Sequence, residues 1–76
     1  MLKVKEGADL EKYGFEETHG YWELEVYQEG TFVGTITCWK QEKTISIWSY
    51  GNYGVENKLD ILYDMIKDGV IEKVGE

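Results

Sequence analysis

Seventy-six residues are enough for one domain, spanning 1–76, and the single cysteine, Cys38, excludes an intramolecular disulfide and a cysteine-built zinc site. Hydrophobic residues at 42% and aromatics at 14% exclude a disordered chain, despite a net charge of −7. There is no arginine, and three lysines stand against eight carboxylates in residues 1–38 and five against seven in 39–76; this is the wrong field for neutralising phosphates, so direct nucleic-acid binding is not expected.

An acidic chain is steered instead toward basic surfaces of other proteins. No stretch approaches 18 apolar residues, and Met1–Lys5 is not a secretory leader, so no membrane association is expected and the expected location is cytoplasmic.

In chain order, Leu2–Lys5 alternates as a short strand. Asp9 is placed to cap one helical turn through Tyr13, Gly14 to end it, and Phe15 to enter the core. Residues 21–27, 31–39 and 44–50 are rich in β-branched and aromatic residues with period two, which predicts a three-stranded antiparallel meander. A three-residue loop, Gln28-Glu29-Gly30, would pair Tyr27 with Thr31, Val26 with Phe32 and Trp22 with Ile36. The turn at 40–43 pairs Trp39 with Thr44, Cys38 with Ile45 and Ile36 with Ile47. Trp22, Leu24, Val26, Phe32, Ile36, Cys38, Ile45 and Ile47 then share the core face.

Gly51-Asn52-Tyr53-Gly54 reads as a plain turn, because it lacks the lysine and hydroxyl of a phosphate loop. Residues 55–68 have helical spacing, with Val55, Leu59, Leu62 and Ile66 as the buried stripe, widened by Ile61, Tyr63 and Met65. Gly69 stops the helix and Val70 completes a Schellman cap. Val70–Val74 is a short strand or extended tail able to pair with residues 2–5 or with a sheet edge. The fold class is therefore α+β: a three-stranded meander packed on one C-terminal helix, with Gly34 leaving room for close approach and short terminal strands as an extension.

The segments Val4–Leu10, Glu11–Phe15, Leu59–Lys67 and Val70–Val74 resemble small uncharacterised phage and prophage proteins of Gram-positive bacteria. The resemblance implies a phage setting and carries over no catalytic residue. Small acidic phage proteins are often inhibitors of host enzymes, anti-CRISPR proteins among them, which is an analogy of setting.

Catalytic motifs are missing: the one histidine, His19, precedes the first meander strand, whereas Cys38 points into the expected core. No catalytic residue, cofactor or metal ligand is assigned. Two surfaces are candidates for partner binding. Glu56, Asp60, Asp64 and Asp68 recur at i, i+4 as an acidic ridge, locally unfavourable by a few tenths of a kcal/mol per pair. On the outer sheet face, Tyr21, Tyr27, Val33, Trp39, Trp48 and Tyr50 stand among Thr and Glu, and Trp and Tyr are preferred interface anchors. The expected function is a non-catalytic phage accessory protein that binds and inhibits a host protein with a basic surface, with homodimerisation as another use of the aromatic face. The alternatives are a nucleotide-sequestering binder and a self-assembling structural component.

Overall fold

The computed structural model describes residues 1–75. The elements are β1 (Leu2–Val4), a 3-10 turn (Glu11–Tyr13), β2 (Glu16–Glu17), β3 (Tyr21–Gln28), β4 (Thr31–Trp39), β5 (Ile45–Ser49), α1 (Val55–Lys67) and β6 (Ile71–Lys73). The fold is α+β, with a four-stranded antiparallel sheet in the order β2-β3-β4-β5 and a two-stranded ribbon of β1 and β6. The ribbon joins the free edge of β5 through a bridge between Lys3 and Thr44 and a hydrogen bond from Val4 N to Lys43 O at 2.8 Å.

The expected three-stranded meander thus gains an edge strand, β2. Glu16 and Glu17 are poor strand formers, but pairing with Glu23 and Trp22 needs only backbone groups on an exposed edge. The turn before β2 is held differently from expectation. Leu10, and not Asp9, occupies the cap position, without a side-chain cap. The buried Leu10 and Phe15 side chains anchor it, and Phe15 N–H donates to Leu10 O at 3.3 Å.

The β4–β5 register is as expected, pairing Cys38 with Ile45 and Ile36 with Ile47. The β3–β4 register is not. The loop has two residues, Glu29 and Gly30, with φ of 50° and 82°, the primed turn whose twist matches a hairpin. Gln28 therefore pairs with Thr31 and Tyr27 with Phe32. The pairing then shifts again, so that Val26 lies opposite Gly34, Leu24 opposite Ile36 and Trp22 opposite Cys38. Val33 is the extra residue of this bulge. Two one-residue shifts sum to two, so faces are preserved beyond the bulge and exchanged between the loop and the bulge, where Val33 turns inward, Phe32 outward and Thr31 lies opposite Gln28.

The helix packs on the inner sheet face, rotated by roughly 80° from the expected stripe. Its inward residues are Lys58, Leu62 and Met65, with Ile61 half-buried, while Val55, Leu59, Tyr63 and Ile66 are exposed. The cause is Lys58, only 2% exposed. Its ammonium donates to Val33 O at 2.9 Å and Tyr53 O at 3.0 Å, so the buried charge meets carbonyl oxygens at the bulge and at the loop entering the helix. Its stem passes over Gly34, where any Cβ would lie 2.6 Å from Lys58 Cε. The room that Gly34 provides is filled by this lysine.

The helix ends as expected. Gly69 N–H donates to Ile66 O at 3.0 Å and Val70 N–H to Met65 O at 3.0 Å, the two bonds of a Schellman motif, and the chain reverses into β6. Because the helix leans toward β3, Ile47 is not covered as expected and remains 48% exposed.

Candidate functional site

Period two carries Tyr21, Glu23, Glu25 and Tyr27 of β3, Thr35, Thr37 and Trp39 of β4, and Ser46 and Trp48 of β5 to the face opposite the helix. The bulge adds Phe32 and removes Val33. Val33 was expected to contact a partner; it is 3% exposed and belongs to the core.

Phe32 completes a continuous aromatic run. Tyr27 and Phe32 meet edge to face with centroids 5.7 Å apart, Phe32 stacks on Trp48 at 6.1 Å, and Trp48 meets Tyr50 edge to face at 6.1 Å. At the other end of the sheet Tyr21 and Trp39 pair at 5.2 Å, and the Trp39 indole donates to Ser46 Oγ at 3.0 Å. Trp48 is 53% and Tyr50 62% exposed, although each ring already leans on a neighbour. These contacts hold the rings in place while leaving their outward surfaces wet, so little side-chain entropy remains to be lost on binding. The aromatic neighbours of Phe32 carry its sequence signal, but a three-residue loop would turn it to the other face, and the actual loop has two residues.

The same face is acidic. Glu16 pairs with Glu23 across β2 and β3, and Glu25 accepts the Tyr27 hydroxyl at 3.0 Å, which raises the Tyr27 phenol above its ordinary value. Lys40 lies away from these groups, paired with Glu17 and over the Trp22 ring at 5.9 Å. Rings beside carboxylates suit a guanidinium or ammonium, which stacks on the first and pairs with the second.

Glu56, Asp60, Asp64 and Asp68 are all exposed, but the ridge does not act as one unit. Asp68 follows the last helical turn and accepts the Tyr13 hydroxyl at 2.6 Å, with Lys12 at 3.6 Å. That bond lowers the Asp68 carboxyl and, with smaller contributions from desolvation and nearby Asp charges, pushes the Tyr13 phenol up to about 12. Asp68 thus ties the 3-10 turn to the helix end, leaving Glu56, Asp60 and Asp64 as the free part of the ridge.

A cleft of about 700 Å³ opens beside the β3–β4 turn, lined by Gln28, Glu29, Thr31, Phe32, Val33, Tyr50 and Tyr53. Its wall is continuous with the aromatic run through Phe32 and Tyr50. His19 is exposed, and Cys38 is buried, its thiol pushed up to about 11 by desolvation. Among the described residues no group of three or more His, Cys, Asp or Glu is placed to hold a metal ion, and no helix is long and apolar enough to cross a membrane. No protein-family model, curated protein or solved structure matches the chain.

Proposed function

We propose that the chain is a non-catalytic protein-binding module, and that its outer sheet face docks on the basic surface of a host protein and inhibits it by occupancy. The observation that carries this reading is the uncovered run Tyr27–Phe32–Trp48–Tyr50 with Glu23 and Glu25 beside it. A buried aromatic ring contributes about 150–250 Å², so four half-exposed rings offer roughly 300–500 Å². That is about half of the ~800 Å² each partner contributes to a standard interface, and it lies where a hot spot would. The acidic field adds steering toward a basic partner, such as the nucleic-acid cleft of a defence or processing enzyme. A phage setting, implied by the resemblance of both chain ends, fits this use.

The test is capture from a bacterial lysate at low salt on the immobilised protein and on a Trp48→Ala/Tyr50→Ala variant. A basic protein retained by the first and lost from the second supports the reading. Equal retention on both would refute it, and large oligomers of the chain alone on size exclusion would favour a self-assembling component.

The cleft favours a second reading, a small-molecule binder with aromatic walls. A nucleotide is a poor candidate, because Lys40 and Lys43 pair with Glu17 and Glu6 and neither lines the cleft. A neutral or cationic aromatic compound fits better, and a rise in thermal midpoint across a panel of such compounds would support it.

A further inference from the structure

The edge of the sheet at β3 is only partly covered. Thr18 N–H donates to Tyr21 O at 2.8 Å and Lys40 N–H to Gly20 O at 3.2 Å, so the Gly20 backbone faces β4 and the Tyr21 backbone faces β2. By alternation the backbone groups of Glu23, Glu25 and Tyr27 also face the β2 side. Strand β2 covers Trp22 and Glu23 and goes no further. The chain leaves the edge at Phe15, whose N–H donates to Leu10 O at 3.3 Å, while Gly14 N–H donates to Glu11 O at 3.0 Å. At the other end Asn57 of the helix reaches Tyr27 O at 3.5 Å. Between these two closures the N–H and C=O of Glu25 and the N–H of Tyr27 have no backbone partner among the described residues. A groove of about 160 Å³ follows this stretch, lined by Gly14, Glu16, Glu23, Leu24, Glu25 and Tyr27.

The carboxylates in the groove identify its occupant. Glu16 lies directly opposite Glu23, an arrangement that costs stability, and Glu25 follows on the same face. None of the three has an ion-pair partner among the described residues; the lysines at either end are held elsewhere, Lys40 by Glu17 and Lys12 by Asp68 at 3.6 Å. We infer that this edge takes an extended basic segment of a partner protein, added as a strand in line with β2 and carrying lysine or arginine at alternate positions. Its backbone bonds to Glu25 and Tyr27. Its basic side chains repeat at about 6.6 Å, the same interval as Glu23 and Glu25. The one opposite Glu25 is ringed by Glu16, Glu23 and Glu25, and the next, opposite Tyr27, reaches the Tyr27 ring. The residue between them turns toward the helix flank that carries Asn57. Two copies paired through this edge would set glutamate against glutamate, so the groups that admit a basic chain exclude a second copy. The inference rests on the reading of the protein as a binder of basic partners, and adds the conformation and sequence pattern of what is bound.

The experiment is a low-salt NMR titration of the labelled protein with a synthetic peptide of about nine residues, lysine alternating with valine or threonine. One control peptide has glutamate in place of lysine. A second keeps the lysines but is N-methylated at its central residues, which removes the backbone donors. The expected result is shifts and slowed amide exchange at Glu25 and Tyr27. Binding should be at least about 10-fold weaker for either control, and for a Glu23→Gln/Glu25→Gln variant. Equal binding of the N-methylated peptide, shifts confined to Phe32, Trp48 and Tyr50, or no binding at millimolar peptide would overturn the inference. A captured host protein that depends on Trp48 but leaves the Glu25 and Tyr27 amides exchanging as in the free chain refutes strand addition and keeps the docking face. A peptide that protects those amides, while no lysate protein depends on Trp48, does the reverse. The peptide comparison needs no substitution in the protein, so it decides the matter whether or not the variant folds.

Discussion

Replacing Gly34 with alanine tests the joint on which the sheet and helix are assembled. Gly34 has φ of 145°, and a Cβ there would overlap the Trp48 carbonyl oxygen and press on Lys58 Cε. An unfavourable backbone for an L-residue costs about 1–2 kcal/mol, and forcing a methyl into a filled site costs about 1–3 more. The expected loss is therefore about 2–5 kcal/mol, against a total of roughly 4–11 for a chain of 76 residues. At about 4–8 °C per kcal/mol for a domain of this size, the thermal midpoint falls by at least roughly 8 °C. Gly30→Ala is the matched control, because φ there is also positive, at 82°, but nothing lies within 4 Å of the added methyl. It should cost only about 1 kcal/mol, as strain is partly offset by a stiffer unfolded chain. Thermal and urea unfolding of both variants give the comparison. Equal losses in the two would mean that neither the Trp48 carbonyl nor the Lys58 stem crowds Gly34, which would contradict the close approach of β5 and the helix at the bulge.

Three further outcomes follow from the same geometry. Trp22→Ala, on the core side, should cost about 3–5 kcal/mol, whereas Trp48→Ala should cost markedly less and leave a folded monomer; comparable unfolding of both would make the outer face a second core surface. The Tyr13–Asp68 tie should hold below pH 10 and be lost as pH rises through about 12, where the Tyr13 phenol ionises; on the acid side it weakens as pH falls through the lowered Asp68 value. Absorbance titration should find two tyrosines that ionise above the ordinary value, Tyr13 and Tyr27, of which only Tyr13 moves back toward 10 in Asp68→Asn. Cys38, raised from 9.0 to about 11, has roughly 100-fold less thiolate than a free thiol at neutral pH, so alkylation should be slow until the protein is unfolded.

Most of the outer face was readable from alternation, because period two survives any even slip. The loop at Glu29-Gly30 and the bulge at Val33 each move the register by one, and neither is signalled by composition. Their sum leaves Trp22, Leu24 and Ile36 on the expected side and exchanges faces only over the short stretch 31–33, between loop and bulge. The Schellman stop at Gly69 was readable because glycine and the following Val70 carry its chemistry locally. The helix rotation was not, since Val55, Leu59 and Ile66 form as regular a stripe as Ile61, Leu62 and Met65. The choice between them rests on Lys58, whose burial depends on carbonyls of Val33 and Tyr53 supplied by distant turns. Strand β2 has no sequence signal, because it is an edge of two glutamates held by backbone pairing alone.

The most direct test of the working surface is the affinity of the captured partner for single variants of the purified protein. Trp48→Ala should weaken binding by about 30-fold or more, the loss of an anchor worth about 2 kcal/mol, while Leu62→Ala, a core change on the helix, should leave the affinity of the molecules that remain folded unaltered. A partner that binds Trp48→Ala as tightly as the native chain would contradict the assignment of the aromatic sheet face as the docking surface.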